Sequence, residues 1–309
     1  MCGIIGFLDK ANDGSAPVGN TVLTMLNALA CRGPDSAGVA LYTGLNNTKT
    51  VLRIKLGENG ANGTSGDYAA RQESIVERVG AVGAIQDVST TEEYLRVMLD
   101  FAGDPQQLSA LIESEAEDVE VVSMGNALEI VKQVGSPENL EDSHGVSRIT
   151  GTHGIGHTRL STESKVDLSH SQPFWAHGMP DLAVVHNGHI TNYHNLRRRY
   201  EQHGVHFYTD NDSEVIGVYL ADRISQGLSL REALEASLYD LDGSFSYLAA
   251  TQDQLGFAKD RFALKPLLFT ETDETVVVAT EEIAIENAFP GIGGVREAQA
   301  KEVQVWQLN

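Results

Sequence analysis

An apolar run, Gly3 to Leu8, starts only two residues into the chain and stops at Asp9. A Gly/Asn/Pro-rich turn follows it, so the run reads as a buried strand rather than as one face of a helix. It lacks a basic flank and is too short for the apolar core of a signal peptide. The first residues of the chain are thereby committed to the interior.

A helix is expected next, with Asn20 as its N-cap and Val22, Met25, Leu26 and Leu29 at helical spacing. Pro34 ends it, and Gly38 to Tyr42 and Val51 to Leu56 read as strands. Gly57 to Gly66 collapses to Gly, Asn, Ser and Thr and reads as a loop. Beyond it, Ala81 to Val88 and Val119 to Ser123 are expected as strands, and Glu92 to Phe101, Gln106 to Glu115 and Asn126 to Val134 as helices. Gly135 to Gly145 reads as a closing loop. Residues 57–150 thus form a candidate α+β insertion within a domain spanning 1–309.

The main pattern resumes near Gly151. Leu182 to His186 is an apolar strand leading into Asn187–Gly188, and Asn192 to His203 is a helix closed by Gly204. Ser213 to Ile224 carries one apolar face, and Ser229 with Glu232 forms a capping box before another helix. Strands are expected at Ser244 to Ala250, Leu255 to Lys259, Pro266 to Glu271 and Thr275 to Thr280. Strands at both ends with helices between them point to stacked layers of an α+β fold.

Charge narrows the partners. The formal net charge is −21, and residues 57–150 alone hold 18 Asp+Glu against 5 Lys+Arg. Such a surface repels phosphate backbones, which argues against nucleic acid as a partner. No apolar run approaches the ~20 residues that cross a bilayer. The expectation is a cytoplasmic protein with no membrane contact. Cys2 and Cys31 are the only cysteines, too few for a disulfide framework, a zinc site or an iron–sulfur cluster. His186, His189 and His194 lack a carboxylate at ligand spacing, so no metal site is expected.

Cys2 is the sharpest chemical feature. Removal of Met1 leaves it with a free α-amine, whose ordinary pKa is about 7.7–8.0, low enough to act as a base near neutrality. One residue then supplies both nucleophile and base. A small residue at position 2 also simply permits processing, and Met-Cys by itself favours that reading. Arg32–Gly33–Pro34–Asp35 places an arginine in a rigid turn, suited to hold a carboxylate or a chain terminus, or to make a surface ion pair. Cys31 is expected to pack in the core. Arg159, in Gly156–His157–Thr158–Arg159, suits a bidentate grip on an α-carboxylate, with Thr162 adding a hydroxyl; structural arginines also sit at strand ends. Asn187 and Gly188 suit an oxyanion hole, although Asn-Gly alone more often marks a turn. Asp212 suits a substrate ammonium, but read alone it is better explained as a helix cap.

Together these pieces resemble the class II glutamine amidotransferases. The matching elements are Met1-Cys2-Gly3-Ile4, Arg32-Gly33-Pro34-Asp35, Gly156-His157-Thr158-Arg159, Gln172-Pro173-Phe174, His186-Asn187-Gly188, Asp212-Ser213-Glu214, Asp242-Gly243-Ser244-Phe245, and Lys259-Asp260-Arg261-Phe262 with Lys265-Pro266-Leu267. They cover residues 1–56 and about 151–285, in family order. The resemblance implies a four-layer αββα N-terminal-nucleophile hydrolase sandwich. It implies that Cys2 attacks the side-chain amide of glutamine, with Asn187 and Gly188 at the oxyanion. Arg159 would hold the α-carboxylate, Asp212 the α-ammonium, Thr162 the pocket wall, and Arg32 the surroundings of the nucleophile. Thr162 is followed by Glu163, where many relatives have His or Ala.

The 57–150 interruption and the string Gly151 to Arg159 look most similar to a stand-alone subgroup, the GlxB-like proteins. These are glutaminase subunits of glutamate-synthase-type assemblies, including the A subunit of methylamine–glutamate N-methyltransferase (N-methylglutamate synthase). That resemblance implies no cofactor in this chain, and flavin and iron–sulfur centres on glutamate-synthase-like partner chains that receive ammonia. A free-standing amidotransferase for another acceptor and a silent scaffolding subunit remain open.

Overall fold

The computed structural model describes residues 2–43, 48–57, 66–161 and 165–308, with backbone alone at 66 and 67. In chain order the first half holds β1 (Gly3–Asp9), α1 (Val18–Ala28), β2 (Ser36–Tyr42), β3 (Thr50–Lys55), α2 (Gly66–Gly80) and β4 (Ala84–Thr91). It continues with β5 (Tyr94–Asp100), α3 (Pro105–Glu113), β6 (Glu120–Gly125), β7 (Leu128–Val134) and α4 (Glu138–His144). The second half opens with β8 (His153–Arg159), β9 (Phe174–Trp175), β10 (Ala183–Ile190), α5 (Tyr193–Gln202), α6 (Asp212–Ser225) and α7 (Leu230–Asp240). It closes with β11 (Gly243–Ala250), β12 (Gln254–Lys259), β13 (Leu268–Glu271), β14 (Thr275–Ala279), α8 (Glu282–Ala288), β15 (Arg296–Glu297) and β16 (Val303–Gln307).

Two sheets stack at the centre. The larger runs β15-β13-β14-β1-β8-β2-β7 and the smaller β16-β12-β11-β10-β9. Ile4, Leu8, Ala40 and Ile155 of the first share one core with Val185, Leu248 and Phe257 of the second. On the outer face of the first sheet, Ile5, Phe7, Val39 and Leu41 pack with Val22, Met25 and Leu26 of α1 and Ile285 of α8. On the outer face of the second, Val184, Phe245 and Tyr247 pack with Val215, Tyr219 and Leu234 of α6 and α7. The result is the αββα sandwich. It also explains why β1 is apolar throughout rather than alternating: both of its faces are covered.

A third sheet, β4-β5-β3-β6, lies beside the sandwich. It draws β3 from before residue 57, while β7 joins the large sheet by pairing with β2 from Ser36↔Val134 to Tyr42↔Leu128. The 57–150 stretch is therefore stitched into the sandwich, and Leu52, Val97, Leu108 and Ile112 extend the central core.

Several expectations are corrected. Glu92 to Phe101 contains strand β5, not a helix: Leu95, Val97 and Leu99 are buried while Arg96, Met98 and Asp100 alternate with them. Period-two burial prevails over the helix preference of Glu, Leu, Arg and Met. Asn126 to Val134 holds strand β7, buried over Leu128 to Lys132, so burial on both faces masks its period. Gly135 to Gly145 contains the short helix α4. Helix α1 starts at Val18 after Pro17, placing Asn20 inside it rather than at its cap. The capping box of Ser229 and Glu232 forms as expected. Most of the loop expected at Gly57 to Gly66 lies outside the described residues.

Candidate active site

Strand pairing brings the chain start to the end of β8. Gly3 lies opposite Thr158, and Ser36 lies opposite Arg159. The start of β1 is clamped on both sides. Arg32 Nε donates to the Cys2 carbonyl at 3.3 Å and its guanidinium pairs with Glu281. Ile4 N donates to Thr280 Oγ1 at 2.8 Å. Cys2 is half-buried, whereas Cys31, expected in the core, is exposed just after α1.

Arg159 is buried and donates through Nη1 to the Lys165 carbonyl at 2.8 Å. Burial pulls its pKa down from the ordinary arginine value, and the neighbouring Cys2, Asp167 and Asp35 act the other way. Cys2 is thus within electrostatic reach of this guanidinium. The Gly33 turn must be glycine, because a Cβ there would stand 2.4 Å from Arg159 N. Asp35 closes the turn by accepting from Ser161 N at 2.7 Å.

The second sheet contributes β10. His157 Nε2 lies 3.1 Å from the His186 carbonyl and joins the two sheets at the site. Burial, followed by the charge of Arg159, pushes the His157 pKa down to about 3, so the ring is neutral and donates to that carbonyl. Gln172 braces the same residue, accepting from His186 N at 2.6 Å and donating to its carbonyl at 3.2 Å. Asn187 and Gly188 sit inside the strand, opposite Ser246 and Phe245, rather than in a turn. Gly188 has φ +141°, and a Cβ would come within 2.2 Å of the Ser244 carbonyl oxygen. Asn187 is buried, and its Nδ2 has no hydrogen-bond partner among the described residues.

Asp212 is the first residue of α6, but Asn211 is the cap, accepting from Ser213 N at 3.0 Å. The capping explanation for Asp212 is therefore corrected. Its Oδ2 accepts from Ile190 N at 2.7 Å, and its Oδ1 lies 3.8 Å from His186 Nδ1, tying it to the strand of Asn187 and Gly188. Cys2, Arg32 and Arg159 thus gather at one sheet, and Asn187, Gly188 and Asp212 at the other, joined through His157 and His186. Thr162 lies outside the described residues. Gln172 and Glu281 are supports to which the sequence assigned no role; Gln172 at least belongs to a matched motif. Lys259 and Asp260 are structural. The lysine donates to Glu297 at 3.0 Å, and the aspartate accepts from Phe245 N and Phe262 N. Among the described residues no three His, Cys, Asp or Glu converge as metal ligands, and no helix is long and apolar enough to cross a membrane.

A guanidinium, a carboxylate, a thiol and an unspent amide donor gathered at one end of an αββα sandwich define a class, and comparison with known proteins agrees. A family model described as a glutamine amidotransferase domain matches residues 157–287. The chain belongs to the class II glutamine amidotransferases, of N-terminal-nucleophile hydrolase fold.

Within that class its similarity runs the full length of particular relatives. It is 37% identical to a protein of Methanothermobacter thermautotrophicus described as a candidate glutamine amidotransferase, covering 100% of both chains. It is 33% identical to the glutamine amidotransferase-like protein GlxB of Rhizobium meliloti, covering 99% of this chain and 98% of that one. Among solved structures, glutamine phosphoribosylpyrophosphate amidotransferase from B. subtilis superposes with a TM-score of 0.61 at 20% identity. That match covers 99% of this chain and 47% of the other, so the chain spans about half the length of that enzyme and the likeness concerns fold.

Proposed function

We propose that this chain hydrolyses glutamine to glutamate and ammonia through a thioester on Cys2. The observation that carries the reading is the buried Asn187 amide, whose Nδ2 is left without a partner one residue beyond the His186 carbonyl that joins the sheets. A buried donor left unmade costs about 1–3 kcal/mol, a cost expected where the donor meets a substrate atom. Once Met1 is removed, the α-amine of Cys2 takes the thiol proton. The sulfur attacks the amide carbon, and negative charge on the oxygen is met by Asn187 Nδ2 and a backbone N–H at Gly188. The α-ammonium then returns the proton to the leaving nitrogen, and ammonia departs. Water, deprotonated by the same amine, attacks the γ-glutamyl thioester and releases glutamate. Arg159 and Asp212 hold the α-carboxylate and α-ammonium of the substrate, selecting a free amino acid over a simple amide. Arg32 steadies Cys2 through its carbonyl.

The ammonia goes to a separate glutamate-synthase-like subunit that carries flavin and iron–sulfur centres, in an assembly of the N-methylglutamate synthase type. The full-length similarity to GlxB supports this grouping. The two cysteines, one proposed as nucleophile, leave no thiolate set for a cluster in this chain. The acidic 57–150 insertion is the proposed docking element.

The test is to assay the purified full chain for glutamate release, alone and with co-purifying subunits, alongside its intact mass. Loss of Met1 and release stimulated by the partner are expected. A retained Met1 with no release in either condition contradicts the proposal and favours the scaffold reading.

A further inference from the structure

Away from the Cys2 groups, a cleft of about 880 Å³ opens between α3 and the pair α5–α6. Its volume is that of a small-molecule site. Met179, Val218 and Ala221 supply apolar wall, and Arg199 and Asp222 also line it.

Two acceptors meet in this cleft. Glu113 receives Tyr208 Oη at 2.6 Å and Val121 N at 2.9 Å, which uses only part of its acceptor capacity. His177 Nε2 lies 3.8 Å from Glu113 Oε1, too far for a hydrogen bond, and has no partner among the described residues. The ring is fixed between Trp175 and Tyr208, with centroids 4.6 and 4.0 Å away. Burial holds His177 neutral, its pKa lowered to about 4, and its ring engages the Val121 backbone. With the proton on Nδ1 toward that backbone, Nε2 presents a lone pair.

We propose that this cleft binds a small organic ammonium whose N–H groups donate to Glu113 Oε1 and His177 Nε2 together. One nitrogen can sit about 2.9 Å from each of two acceptors spaced this way. The remaining volume takes its carbon skeleton. A carboxyl raised by burial to about 7 is also one that gains from an arriving cation. The walls come from α3, which lies between β5 and β6 of the third sheet in the chain, and from α5 and α6 of the sandwich, so an occupant joins the two parts.

Calorimetric titration of the full chain with benzylammonium, in the absence of glutamine, tests this apart from any glutaminase chemistry. Saturable binding is expected, at least tenfold tighter than for benzyl alcohol or benzyltrimethylammonium, which lack the charge and the N–H groups respectively. Glu113→Gln should weaken it at least tenfold, and Ala221→Phe, which fills the cleft from the α6 wall, should abolish it. Unaltered melting of both variants certifies their folds. No saturable binding, equal binding of the neutral alcohol, or unchanged affinity in folded Glu113→Gln would overturn the proposal.

Discussion

Two buried polar clusters in this chain are finished in opposite ways. Around Glu129 of β7 every charge is answered: Arg53 Nε donates to it at 2.9 Å, and Arg96 Nε and Nη2 both donate at 3.0 Å. Around Asn187 the account is left open. Asn187 Nδ2, His186 Nε2 and His157 Nδ1 are buried with no partner among the described residues. A closed cluster fixes β3, β5 and β7 in register. An open one, held rigid by Gln172, Arg32 and Ser213, keeps donors and acceptors available for something that is not protein. Burial alone therefore does not mark the site; unspent hydrogen bonds within a rigid frame do.

The sharpest way to break this contrast is Cys2→Ala, which should reduce glutamate release to background while leaving the melting temperature unchanged. Persistent turnover by that variant sinks the open cluster as a catalytic site. Glu129→Ala should do the reverse, destabilising the fold by about 3–5 kcal/mol because two guanidinium groups lose their carboxylate. Denaturant titration reads that loss, and glutamine KM should stay unchanged in the folded fraction. Burial opposes ionisation of Glu129, but Arg96 and Arg53 outweigh it and lower its pKa. Its contribution is therefore present above the ordinary glutamate pKa of about 4.3 and is lost as pH falls through the lower folded value.

Asn187→Ala should lower kcat about 100-fold or more, with little change in stability, since its Nδ2 has no protein partner to lose. A drop in melting temperature with kcat intact would move Asn187 into the structural group. The smallest expected effect is Ser229→Ala, which removes the capping box of α7, about 1 kcal/mol, and leaves kinetics untouched.

The site was more legible in the sequence than the region beside it, and the reason is physical. Cys2, Arg32, Arg159 and Asp212 lie at ends of elements or beside tight turns, where residue identity is dictated locally, while Asn187 inside β10 is marked by the glycine that follows it. Gly33 and Gly188 are needed by close backbone approach, which the short motifs reveal. The strands of 57–150 carry no such markers. β5 is built from helix-favouring residues whose alternation decides the matter, and β7 is buried over five successive residues, Lys132 included. That Asn211 rather than Asp212 caps α6 depends on a hydrogen bond that sequence spacing does not distinguish. The approach of His177 to Glu113 brings together residues 64 positions apart and shows no motif at all.

The most direct test of the account is to incubate the full chain with the diazoketone analogue of glutamine and map the adduct by peptide mass spectrometry. One adduct is expected, on a peptide that begins at Cys2 with Met1 absent, suppressed by excess glutamine. Modification of the exposed Cys31 instead, or no adduct at all, would contradict it.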